Sequence, residues 1–152
     1  GGVCTIGTMA YQPNAVNVIP SEAKFTIDLR NPDKARLDGD EEILAAYLEQ
    51  LAQEEGVEIT AKRMTCFDPV PFDEGICQKV EKAAAARNLR CRRMVSGAGQ
   101  DAQMMARICP TAMIFVPSIK GISHNPAEYT PDQACINGAN VFLDVVREMI
   151  GA

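Results

Sequence analysis

The sequence predicts an α/β protein in two parts, an α+β portion followed by an α/β portion, and three observations carry that expectation. The run Phe25-Thr26-Ile27-Asp28-Leu29 alternates apolar with polar at period two, as half-buried strands do. Ile43, Leu44, Tyr47, Leu48 and Leu51 recur at the spacing of one helical face. Beyond the proline-rich crossing Cys66-Phe67-Asp68-Pro69-Val70-Pro71, helix-like and strand-like runs alternate, the signature of α/β layering.

Taken in order, Val3 to Ala10 and Ala23 to Arg30 read as neighbouring strands. The segment between them, Gln12-Pro13-Asn14-Ala15-Val16-Asn17-Val18-Ile19-Pro20, is a shaped loop, because its bounding prolines disfavour helix and its asparagines suit turns. A helix is expected from Asp38 to Glu55 with Gly56 as its stop, followed by a strand from Val57 to Ala61. The second portion should run as a helix from Asp73 to Arg87, a strand from Cys91 to Val95, a short helix from Asp101 to Ile108 and a strand from Ala112 to Val116. The last helix should start at Thr130 as N-cap, with Pro131 in the first turn and Gln133 closing a capping box. Its buried stripe would be Ile136, Ala139, Phe142, Leu143, Val146 and Ile150. The domain boundary is placed at 65/66.

Composition excludes several classes. The chain has 152 residues, 47% of them hydrophobic and 23% charged, as in folded globular domains. A net charge of -5 argues against a nucleic-acid partner, since phosphate binding needs a clustered basic surface. The basic cluster Arg87 to Arg93 is interleaved with Leu89 and Cys91 and reads as the solvated end of a helix. No run approaches the ~20 apolar residues of a membrane span, and Gly1 to Met9 lacks the charge and apolar core of a signal sequence. The six cysteines contain no CxxC pair; they read as reduced, mostly buried thiols of a cytoplasmic protein.

Three segments place polar groups where strands should end: Pro13 to Asn17 together with Arg30, Ser96-Gly97-Ala98-Gly99-Gln100-Asp101-Ala102, and Gly121-Ile122-Ser123-His124-Asn125-Pro126. A guanidinium at Arg30 can grip a carboxylate with two parallel hydrogen bonds; the plain alternative is a surface arginine paired with Asp28 or Asp33. The Ser96 to Gly99 run either offers backbone N–H groups to an anion or is a tight strand-to-helix turn, and it lacks the lysine of a P-loop. His124 is the single histidine, so spacing alone cannot assemble a three-ligand zinc site here. Ser96 and Ser123 have no evident activating base and remain hydrogen-bonding residues.

An ordered combination is far more specific than any one segment. Thr8-Met9, Pro13-Asn14-Ala15-Val16-Asn17-Val18-Ile19-Pro20, Phe25-Thr26-Ile27-Asp28-Leu29-Arg30, Ser96-Gly97-Ala98-Gly99, Pro110 to Ser118 and Gly121-Ile122-Ser123-His124-Asn125-Pro126-Ala127-Glu128-Tyr129-Thr130 together resemble the second half of the N-carbamoyl-amino-acid hydrolase and allantoate amidohydrolase family.

That resemblance implies an aminoacylase-like, zinc-peptidase-like fold, in which a catalytic α/β domain holds two divalent metal ions, zinc or manganese, and an inserted α+β lid mediates dimerisation. Residues 1–65 would be the later part of the lid and residues 66–152 the closing section of the catalytic domain. By the same resemblance Asn17 and Arg30 bind the carboxylate end of the substrate, Gly97, Ala98 and Gln100 line it, and His124 ligates a metal. The family usually has histidine where this chain has Gln100. The remaining ligands and the acid that activates water belong to the earlier half of the family sequence, so no catalytic residue is assigned here. The implied activity is cleavage of a non-peptide C–N bond in a small carboxylate substrate, an N-carbamoyl amino acid or a ureido acid such as allantoate. This chain by itself is expected to be inactive and to retain no two-metal centre. Two other readings stand beside this one: a non-catalytic dimerisation module pairing through a sheet edge, and a relative acting on N-acyl amino acids or dipeptides.

Overall fold

The computed structural model describes residues 1–151 and divides into two compact units, Gly1–Pro69 and Val70–Ala152. The first contains strands β1 (Val3–Gln12) and β2 (Glu22–Arg30) and helix α1 (Lys34–Glu55). The second contains helices α2 (Glu74–Ala86), α3 (Asp101–Met105) and α4 (Asp132–Ile150), with a short 3-10 turn at Ile119–Gly121. The mixed α/β class is the one the sequence predicts.

In the first unit, β1 and β2 form an antiparallel hairpin whose register runs from Gln12↔Glu22 beside the loop to Val3↔Arg30 at the open end. A bulge between Ile6 and Met9 interrupts the ladder. The Thr8 N–H there donates to Thr26 Oγ1 at 3.1 Å, and the two threonine hydroxyls meet at 3.0 Å, so the bulge leaves its donor satisfied. The loop base is closed by Ser21 N–H donating to the Gln12 carbonyl at 2.8 Å.

Helix α1 begins four residues before the position expected. Asp33 is its N-cap, accepting the Arg36 N–H at 3.2 Å, and an aspartate cap outweighs the absence of acidic residues in the first turn. Its end is as expected: Gly56 takes the left-handed φ of 63° that a glycine adopts without steric cost. Leu37 is buried, whereas Ile43 and Tyr47 of the expected stripe lie exposed. No strand forms at Val57 to Ala61 among the described residues, because the two-stranded sheet offers that segment no ladder.

In the second unit, α2 and α4 pack through Ala83, Ala84, Val141 and Val145, with Ile76, Val80, Leu89 and Ile114 against that cluster. The small alanines let the helices approach closely, and ion pairs of Lys79 with Glu148 and of Arg87 with Asp144 flank the seam. Asp73 caps α2 by accepting the Ile76 N–H at 2.8 Å. The face of α4 that meets α2 is not the predicted stripe. Val141 and Val145 are buried, while Ile136, Phe142, Leu143 and Ile150 are exposed. Helix α4 carries apolar residues on more than one side, and periodicity cannot say which side finds a partner.

Two further corrections concern caps and strands. The N-cap of α4 is Pro131, which has no capping side chain, and Gln133 donates instead to Asn137 Oδ1 at 2.9 Å; the capping box does not form. Cys91 to Val95 and Ala112 to Val116 run without ladder, turn or bend, so neither is a strand among the described residues. Helix α3 ends at Met105 rather than Ile108, its last turn tightening through Ile108 N–H to the Met105 carbonyl. All six cysteines are free thiols, but five are exposed and Cys77 is half-buried, contrary to the expectation of burial. The core is too small to cover them.

Candidate functional site

The 121–128 loop presents His124 by a specific backbone arrangement. His124 is in the left-handed region at φ 56°, a conformation uncommon for a non-glycine residue. Its N–H donates to Glu128 Oε2 at 2.8 Å, and Asn125 Oδ1 accepts the Ala127 N–H at 2.9 Å. Together these side chains bend the loop around the histidine. Ser123 Oγ lies 2.8 Å from Nδ1 of the ring. Nε2 makes no hydrogen bond among the described residues and the side chain is exposed, so the outer nitrogen is available as a ligand. Glu128 was not singled out in the sequence; the signal was an acid four residues beyond the histidine, within reach of its backbone.

The Ser96 to Gln100 segment leads into α3 without a preceding strand among the described residues. Ser96 Oγ donates to the Ala98 carbonyl at 3.1 Å, and Gln100 is the N-cap of α3 with extended backbone and no side-chain capping bond. Neither Gly97 nor Gly99 has a positive φ, and a Cβ on Gly97 would meet no atom within 4 Å. Their small size is therefore not required by this chain's own backbone. Gln100 and Gly97 are exposed and Ala98 is half-buried.

In the first unit, Asn17 lies in the turn of the hairpin loop and Arg30 at the far end of β2. Eight residues separate Glu22, at the loop, from Arg30, about 26 Å of strand at ~3.3 Å per residue. Arg30 donates through Nε to Asp28 Oδ1 at 2.8 Å and through Nη2 to Asp28 Oδ2 at 2.5 Å, a bidentate pair. These hydrogen bonds hold the Asp28 carboxyl below its ordinary range and raise Arg30. Asp28 is one of the two partners expected of a plain surface arginine here, and the pair occupies the Nε–Nη2 edge of the guanidinium.

The basic cluster behaves as a solvated surface. Arg93 bridges Glu81 (2.5 Å) and Glu74 (2.8 Å), pulling the Glu74 carboxyl down to about 2, with Gln78 adding a hydrogen bond. Among the described residues no three His, Cys, Asp or Glu side chains converge into a metal-binding group. His124 thus fits one donor position, with no three-ligand group around it among the described residues. No helix of the described residues is long and apolar enough to cross a membrane.

Residues 2–148 match the model of the family described as Peptidase family M20/M25/M40. The chain is 37% identical over 148 residues to an N-carbamoyl-L-amino-acid amidohydrolase of Rhizobium meliloti, covering 97% of this chain and 36% of that protein. It is 40% identical over 128 residues to an allantoate amidohydrolase of Escherichia coli, covering 84% of this chain and 31% of that protein. A crystal structure of an amidase of the hydantoinase/carbamoylase family from Burkholderia multivorans superposes with a TM-score of 0.87 at 39% identity, over 95% of this chain and 35% of the other. The chain therefore spans about a third of the length of the relatives it matches.

Proposed function

Because the chain belongs to peptidase family M20/M25/M40, we propose that it is the closing section of a hydrolase that cleaves a non-peptide C–N bond in an N-carbamoyl amino acid or a ureido acid. The observation that carries this reading is the 121–128 loop, in which Ser123 and Glu128 occupy Nδ1 and the backbone N–H of the exposed His124 and leave Nε2 without a hydrogen bond among the described residues. Similarity to proteins named as amidohydrolases over 97% and 84% of the chain supports the choice of substrate class.

In the complete enzyme the activity depends on two divalent ions, zinc or manganese, held by a ligand set of which His124 is one member. Arg30, already paired with Asp28, binds the substrate carboxylate; Asn17, at the loop end of the hairpin, is an amide donor that contacts the substrate separately and not beside Arg30. Gly97, Ala98 and Gln100 line the substrate, and a Cβ on Gly97 would meet no atom within 4 Å, which leaves room there. The enzyme is cytoplasmic and dimerises through the first unit, whose two strands each have one unpaired edge.

Steady-state kinetics of Arg30→Lys in the complete enzyme test this reading, using a carboxylate substrate beside its amide analogue. A point charge does not reproduce a planar fork, so the variant should lose the carboxylate substrate selectively. Equal losses on both substrates would remove Arg30 from that role. A non-catalytic dimerisation module is the second reading, favoured by the lack of a converging metal-ligand group among the described residues. Metal content and mass in solution separate the two: a bound metal pair sinks the module, a metal-free dimer of the complete protein sinks the hydrolase.

A further inference from the structure

We infer that Glu128 is a positioning residue for His124: its carboxylate takes the histidine's backbone N–H and holds that residue in the left-handed conformation from which the imidazole is offered to a metal ion. The inference rests on the reading of His124 as a metal ligand and deepens it.

A non-glycine residue at a φ of 56° is uncommon, because its Cβ crowds the following carbonyl oxygen, and the conformation persists only where its surroundings hold it. The same φ sets the direction of the Cα–Cβ bond relative to the loop. Whatever fixes it therefore fixes where the ring is carried.

Glu128 Oε2 accepts the His124 N–H at 2.8 Å. The glutamate is itself anchored, since its own N–H donates to the Asn125 carbonyl at 2.9 Å, while Asn125 Oδ1 accepts the Ala127 N–H at 2.9 Å. The base of the loop is closed by the Ile119 N–H on the Tyr129 carbonyl at 2.9 Å and by the Ser118 hydroxyl on the Ile122 carbonyl at 2.6 Å. The carboxylate thus reaches back to residue 124 from a turn tied down on both sides. Among the described residues Glu128 forms no ion pair, so no cation draws its carboxylate away from the histidine N–H. A hydrogen bond from N–H to a carboxylate is charge-assisted and stronger than its neutral counterpart. Residues that orient a metal ligand from behind typically change metal affinity about ten- to a hundredfold.

Zinc affinity of the complete enzyme, read by competition with a chromophoric chelator, tests this without any turnover. His124→Ala sets the scale. If that variant binds zinc as the wild type does, His124 is no ligand, and the underlying reading fails together with this inference. With His124→Ala weakened, Glu128→Ala should bind zinc about tenfold or more weakly. Glu128→Gln keeps an accepting oxygen at the same reach and should stay within about threefold of the wild type. Glu128→Asp keeps the charge but loses a methylene of reach, and it should resemble Glu128→Ala. The order Gln above Asp identifies a backbone acceptor, because a role through charge or direct coordination would favour Asp. Glu128→Ala binding as tightly as the wild type, or Glu128→Gln binding as weakly as Glu128→Asp, overturns the inference. If Glu128→Ala does not fold, the order of Gln and Asp decides alone.

Discussion

Ser123 Oγ lies 2.8 Å from Nδ1 of the adjacent His124, while the His124 N–H is held by Glu128 at 2.8 Å. With Nδ1–H donating to the serine oxygen, the lone pair is left on Nε2, which makes no hydrogen bond among the described residues. Replacing Ser123 with Ala removes an acceptor worth about 0.5–1.5 kcal/mol, which shifts the tautomer ratio roughly two- to tenfold toward Nε2–H. His124 is the only histidine, so a nitrogen-15 spectrum of the ring above neutral pH reads the ratio without assignment ambiguity. An unchanged ratio in Ser123→Ala would show that the hydroxyl does not set the tautomer.

Gly138→Ala should destabilise the second unit, although glycine to alanine inside a helix ordinarily stabilises by about 0.5–1 kcal/mol. The new Cβ would sit 2.5 Å from Val116 Cγ1, and valine has little χ1 freedom with which to retreat. Overpacking costs typically about 1–3 kcal/mol, so the net change should be a loss of about 1 kcal/mol. Urea denaturation checks the sign; Val116→Ala in the same background should restore part of the helical gain.

The Glu74 carboxyl should titrate near its value of about 2, because Arg93 and Gln78 hydrogen-bond its ionised form. A depressed carboxylate contributes stability that is present above its unfolded value near 4.5 and is lost as pH falls through the folded one. Arg93→Ala should raise the Glu74 pKa toward the ordinary range and flatten the stability profile between those two values. The site is solvent-exposed, so added salt should shrink the difference. Carbon-13 detected titration of Glu74 follows this directly, and a carboxylate still near 2 without Arg93 would assign the shift elsewhere.

Gln100→His in the complete enzyme should raise turnover and add a titration in the histidine range. Glutamine donates through its amide but cannot become a cation or pass a proton near neutral pH. If this position stabilises charge in the tetrahedral intermediate, the gain is on the order of a hundredfold, as for one oxyanion donor. The exposed side chain of Gln100 has no hydrogen bond among the described residues, so the replacement disturbs no existing contact. An unchanged rate and pH profile would make glutamine an accepted alternative at this position.

Much of this architecture is decided locally and was legible in the sequence. The alternation of Phe25 to Leu29 carries its own strand signal, Gly56 stops α1 because its φ of 63° suits glycine, and Asp73 caps α2 through a bond to its third neighbour. The loop around His124 also shows in its Gly, Ser, Asn and Pro composition, although the hold of Glu128 on the His124 N–H appears only in the structure. What only the tertiary structure decided is which surfaces find partners. Helix α1 starts at Lys34 behind an Asp33 cap rather than at Asp38, Val141 and Val145 rather than Phe142 and Leu143 meet α2, and Arg30 takes Asp28. The strand-like runs at 91–95 and 112–116 form no ladder because strand propensity needs a neighbouring edge, and none of the described residues supplies one. A pattern of side chains states what a segment can bury; the geometry of the rest of the fold determines whether anything arrives to bury it.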